Sequence, residues 1–181
     1  SMSESTREII HPMAVLFLVA AVAAMLLGFV YEVTKEPIAQ QEAKQLKLSM
    51  QSVMPSATAF EELEGVAEGN ITAVYQSDTD GFVLAVNTLG YGGSISLLVG
   101  VNADGTTSGV RILSHSETPG LGARSTEPEF YEQFVGMTSP VAVTKDGGQV
   151  EAITSATVTS RAVSNGVEEA LEWVAQKGGA Y

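Results

Sequence analysis

Five of the seven residues in Thr154-Ser155-Ala156-Thr157-Val158-Thr159-Ser160 carry hydroxyls. The stretch opens onto an amphipathic pattern that predicts a helix over about 160–176, with Val163, Val167, Ala170, Leu171 and Val174 on one face and Glu168, Glu169 and Glu172 away from it. A helix start leaves backbone N–H groups unpaired and carries partial positive charge, so it favours a phosphate. Any of these hydroxyls could add a donor. Capping the helix needs only one, and Thr159 or Ser160 would serve. On residue type alone, capping and ligand binding both remain open.

Two other stretches are unlike ordinary connections. In Gly90-Tyr91-Gly92-Gly93 the glycines permit a sharp turn or close approach of a ligand to the backbone. In Ser114–Arg124 the pair Pro119-Gly120 sets a turn, and Gly122 adds a second permissive position. Glu117 and Thr118 are presented on that rigid corner. Leu121, the large apolar residue at its tip, suits packing against a flat ring. His115 stands alone and reads as structural. The three stretches together suit a ligand with a phosphate at a helix start and a flat body against a turn.

Composition narrows the alternatives. Nine Lys and Arg against 21 Asp and Glu give a net charge of -12, which would repel nucleic acid. With no cysteine and only two histidines, thiolate metal sites, Fe–S clusters, disulfides and His-rich metal sites are excluded. Chemistry must come from carboxylates, hydroxyls, backbone or a borrowed cofactor.

The elements that position these stretches fall into two parts. Residues 13–31 carry no charge and are long enough to cross a membrane as a helix. Tyr31 stands at an interfacial position. A cleaved signal peptide would have a shorter apolar run followed by a small-residue cleavage site, whereas Ala21-Val22-Ala23 lies inside this one. Ser1-Met2 reads as a tag remnant, so Ser1 is set aside from fold reasoning. A second helix is predicted over 38–54, with Pro37 in its first turn and Pro55 ending it. Strands are predicted at 71–76, 82–88, 94–101 and 108–114, with turns at Asp80-Gly81 and Asp104-Gly105. A helix near 128–134 and a short strand near 141–144 follow. The fold class is α+β: an antiparallel sheet with flanking helices, preceded by one transmembrane helix.

Residues 151–160, EAITSATVTS, resemble the flavinylation motif of the FMN-binding domain family, approximately Asp-x-x-Ser/Thr-Gly-Ala-Thr/Ser. ETPGLG at 117–122 and GYGG at 90–93 are similar to stretches of the same family, and the anchor followed by YEVTKEPI at 31–38 resembles the start of Rnf-type G subunits. The resemblance covers nearly the whole chain. It implies FMN joined by a phosphoester to Thr157, placed there from FAD by a Mg-dependent flavin transferase. Tyr91, Glu117, Thr118, Gly120, Leu121, Gly122, Thr154, Ser155 and Ala156 are then the implied cofactor-binding residues. Glu151 stands where Asp is usual, and Ser155 where Gly is usual; a positive φ there would strain a serine.

The implied function is an electron-carrying subunit of an ion-pumping ferredoxin:NAD oxidoreductase, with other membrane subunits and lipid as partners. The alternatives are the C subunit of a Na+-translocating NADH:quinone oxidoreductase, which is generally longer, and a membrane-anchored module without redox function. The implied layout is a cytoplasmic tail over 1–12, a span over 13–31, a helical stalk over 32–57 and an extracytoplasmic FMN-binding domain over 58–181. A bare positive-inside count opposes this orientation, because Arg7 precedes the span while Lys35, Lys44 and Lys47 follow it. The rule is weak for long translocated domains, so the expectation follows the family.

Overall fold

A computed structural model describes residues 4–181, with side-chain environments from Arg7 onward; the Ser1-Met2 start and the beginning of the 1–12 tail lie outside the described residues. The chain divides into two compact units, Ser1–Gln45 and Leu46–Tyr181. The first is carried by helix α1, Glu4–Val53. The helix predicted to begin at 38 is instead continuous with the apolar segment before it, since α1 runs through both Pro12 and Pro37 without interruption. Each proline removes one backbone donor, but its fixed φ is itself helical, and the surrounding ladder continues. Near Pro37 the Thr34 hydroxyl donates to the Val30 carbonyl at 2.6 Å. Pro55 does stop the helix, two residues past its end. α1 is long and apolar enough to cross a membrane, and none of its most apolar window is buried. Phe17, at 78 % exposure, typifies that surface.

The second unit is built on one antiparallel sheet in the order β1-β2-β3-β4-β5: Phe60–Glu62, Ile71–Ser77, Phe82–Leu89, Ser94–Val101 and Thr107–His115. Alternation along the strands sends side chains to two cores. Leu84, Val86, Leu97 and Val99 face Val163, Val167, Leu171 and Trp173 of helix α3, Thr157–Lys177. Val83 and Leu98 point the other way, onto Met50, Val53 and Met54. With both faces covered, β3 is buried at consecutive positions from Phe82 to Leu84. The end of α1 is pinned to the sheet by the Ser108 hydroxyl, which donates to the Val53 carbonyl at 2.6 Å. A Cβ on Gly109 would lie 2.8 Å from that same oxygen, so the helix end sits where a side chain would be.

Four further sequence expectations are adjusted. The three-residue β1 falls outside the predicted strands. The helix near 128–134 is a short α2, Pro128–Tyr131, followed by a 3-10 turn, Glu132–Phe134. The strand near 141–144 is instead a single parallel bridge, Val143 to Val150, around a 3-10 turn at Thr144–Asp146 that ends on Gly147 with φ 85°. The six residues between the bridged pair are too few for a crossover that would extend a parallel ladder. Helix α3 starts at Thr157, three residues before the expected start.

Candidate functional site

The three stretches singled out by sequence converge. Tyr91, Glu117, Thr118, Leu121, Gly122, Ser155, Ala156 and Thr157, joined by Val158 and Thr159, line a cleft of about 440 Å³. Each wall has a local cause. The β3–β4 hairpin closes through the Gly90 amide donating to the Gly93 carbonyl at 2.8 Å, with Gly93 at φ 148°. This leaves the Tyr91 ring 78 % exposed. In the second wall the Leu121 amide donates to the Thr118 carbonyl at 3.2 Å, across Pro119 and a Gly120 at φ 76°. Proline then positive-φ glycine is the signature of a type II turn.

The third wall is the start of α3. Its N-cap is Ala156, which offers no side-chain hydrogen bond. The expected capping by Thr159 or Ser160 is therefore corrected. Both lie inside the helix, and both hydroxyls are committed elsewhere. Ser160 Oγ donates to the Ala156 carbonyl at 2.8 Å and accepts from the Ile153 amide at 2.9 Å. Thr159 Oγ1 donates to the Glu117 carboxylate. The amides of Thr157, Val158 and Thr159 thus open the helix with no side-chain cap, as an anion cradle requires. Thr157 is the first helical residue and is half-buried on the cleft.

Two implied site residues stand apart. Gly120 shapes the turn without lining the cleft, and Thr154 is exposed on a neighbouring groove beside Glu127, Gln133 and Glu151. Glu151 is held there through its backbone: its amide donates to Gln133 Oε1 at 2.8 Å. Val158 and Thr159 also line the cleft; sequence reasoning marks Thr159 only as a donor or cap, and misses Val158 because it sets the helix start after it. His115 is not among the residues lining the cleft, and its Nδ1 accepts the Glu117 amide at 3.2 Å. On α3, Arg161 grips Asp146 with two hydrogen bonds, at 2.6 and 2.8 Å, and these hold the Asp146 carboxyl below the usual carboxylate range.

Ser155 occupies the left-handed region at φ 62°. That conformation costs an ordinary residue about 1–2 kcal/mol, of which glycine would recover part after its own entropic loss. Ser155→Gly is expected to raise unfolding free energy by about 0.5–1 kcal/mol, read from the urea midpoint at constant slope. An unchanged or lower midpoint would show that the serine is not strained.

Residues 90–172 match the FMN-binding domain family, and residues 2–53 match the RnfG N-terminal region. The G subunit of the ion-translocating oxidoreductase complex of Methanosarcina acetivorans is 38% identical over 191 residues, spanning 98% of this chain and 100% of that relative. The chain belongs to the G-subunit family. Other relatives in that family are the G subunit of the proton-translocating ferredoxin:NAD(+) oxidoreductase complex of Clostridium ljungdahlii, 34% identical over 84% of each chain, and that of the Na(+)-translocating complex of Acetobacterium woodii, 31% identical over 87% of each. Among solved structures, the C subunit of the Na(+)-translocating NADH-quinone reductase of Parabacteroides distasonis shares the fold, with TM-score 0.53 and 22% identity over 67% of this chain and 78% of that one.

The residues of this G-family chain fit the cofactor for which the matched domain is named. The uncapped amides at 157–159 suit a phosphate, and Leu121, Val158 and Tyr91 offer exposed apolar surface at the same cleft for a flat ring system.

Proposed function

We propose that the chain is the membrane-anchored electron-transfer subunit of an Rnf-type complex that couples ferredoxin:NAD oxidoreduction to ion transport, and that it carries FMN as a phosphoester on Thr157. The observation that carries this reading is the position of Thr157. It is the first residue of an uncapped helix, opening on a cleft whose other walls are the GYGG hairpin and the ETPGLG turn. When bound, FMN supplies one- and two-electron chemistry, so a single carrier serves donors and acceptors of either kind. The protein's part is to hold and orient. The Thr157 hydroxyl provides the oxygen of the phosphoester, with AMP leaving FAD in the transferase reaction. The first-turn amides take the phosphate charge. Leu121 and Val158 pack the ring, and exposed Tyr91 stands at the cleft mouth.

A covalent link suits a domain on the extracytoplasmic face, where a lost cofactor cannot be replaced from the cytoplasmic pool. The proposed partners are the flavin transferase, the membrane lipid around α1 and the other subunits of the complex. The fold is shared with a C subunit of the quinone-reducing enzyme, but the relatives that match along most of the chain are G subunits.

Co-expression with a flavin transferase should produce a band that fluoresces as flavin in a denaturing gel, and a reporter fused after Tyr181 should be active only outside the cytoplasm. A dark band would leave a membrane-anchored binding module as the better reading. A reporter active in the cytoplasm would reverse the orientation.

A further inference from the structure

Among the described residues, Glu117 is the one charged side chain in the buried class, at 6% exposure, and no cation pairs with it. A buried carboxylate without a counter-charge is costly unless its oxygens are hydrogen-bonded. Here they are bonded to the protein. Oε1 accepts the Gly92 amide at 2.9 Å, and Oε2 accepts the Tyr91 amide at 3.3 Å together with the Thr159 hydroxyl. Glu117 therefore ties the 90–93 hairpin and its own turn to the third residue of α3, two positions beyond Thr157.

Two glycines make room for this arrangement. A Cβ on Gly122 would lie 2.5 Å from both Glu117 Oε2 and Thr159 Oγ1, and a Cβ on Gly90 would collide with Glu117 Oε1 and come within 2.6 Å of Ile95 Cδ1. Neither has a positive φ, so both are needed for space and not for backbone conformation. The carboxylate, the hydroxyl and the two bare backbones form one packed unit beneath the cleft.

Resting on the reading that FMN occupies this cleft, we infer that Glu117 and Thr159 form a latch of positioning residues: it fixes the acceptor turn for flavin transfer onto Thr157, and its buried charge lowers the flavin's reduction potential. The geometric part follows from the Thr159 hydroxyl, whose single donor is committed to Glu117. That commitment holds the first turn of α3 in place and aims the 157–159 amides as a set. The electrostatic part follows from the sign of the charge. A fixed negative charge beside the cofactor opposes added electrons, and burial weakens its screening.

The test uses the full chain with purified flavin transferase and FAD, following FMN incorporation by intact mass over time. Thr159→Val keeps the shape of the side chain and removes the donor. It should slow incorporation at least tenfold at saturating transferase, while the thermal midpoint stays within a few degrees. Thr159→Ser retains the donor and should run at nearly the wild-type rate. Glu117→Gln should also be slow, and its flavinylated fraction should show a midpoint potential shifted upward. Labelled wild type together with an unimpaired Thr159→Val, equal impairment of the Val and Ser variants, or an unshifted potential in Glu117→Gln would overturn the latch alone. Wild type that acquires no FMN would overturn the reading of the cleft, and the latch with it.

Discussion

Thr157→Ala is expected to abolish covalent FMN completely while leaving the fold intact. The two halves of that result have separate physical grounds. The acceptor hydroxyl is lost with one methyl group, and the other exposed hydroxyls lining the cleft, Thr118 and Ser155, lie outside the helix whose first-turn amides hold the phosphate. Thr159 is 1 % exposed and committed to Glu117, Ser160 is fully buried and bonded at both ends, and Thr154 faces a different groove. Stability should change by no more than about 0.5 kcal/mol, because Thr157 is only half-buried and alanine is the better helix former. Thr157→Ser should still be labelled. In-gel fluorescence and a thermal scan on the same preparations read both halves; FMN mapped to Thr154 or Thr159 would refute the assignment of the acceptor.

The second large effect concerns the scaffold. Phe134→Ala is expected to lower unfolding free energy by about 3–5 kcal/mol, measured by denaturant unfolding of the chain in detergent. Phe134 is fully buried and meets Phe130 edge-on, with ring centroids 5.5 Å apart. It lies in the turn that brings the chain back to the sheet, where the Met137 amide donates to the Phe134 carbonyl at 3.0 Å and the Gly136 amide to the Thr107 carbonyl at 2.8 Å. Removing the ring leaves a void in the main core, the same core on which Val163, Val167 and Leu171 of α3 pack. A loss under about 1 kcal/mol would mean that this turn does not carry the packing ascribed to it.

Much of the fold could be read from local pattern, because local pattern is what decides those elements. Strands β2 to β5 alternate toward two cores, and their turn signals fall at Asp80, which adopts φ 60°, and Gly105, at φ 83°. Where the reading failed, a longer-range or single-residue effect outweighed the pattern. β1 is three residues, Phe-Glu-Glu, with no buried position; pairing with β2 alone defines it. The start of α3 differs because hydroxyl residues are favoured as caps, whereas the chain enters this helix through a left-handed Ser155 and an Ala156 that caps nothing. Pro37 has the form of a helix start, yet its φ suits the interior of α1 equally well.

The site was legible in part. Residue types and motif resemblance selected all three walls of the cleft, and eight of the ten implied residues line it. They could not reveal that Glu117 spends its carboxylate on the protein, since its partners are 25, 26 and 42 residues away in sequence. Nor could they show that Gly122 is required for space, because that depends on Thr159 arriving from α3.

The most direct test of the central claim is the intact mass of the full chain produced with a flavin transferase, followed by peptide mapping. The account requires a shift equal to one FMN less one water, retained under denaturing conditions and located on Thr157. An unshifted mass, or a shift located on any other residue, would contradict it.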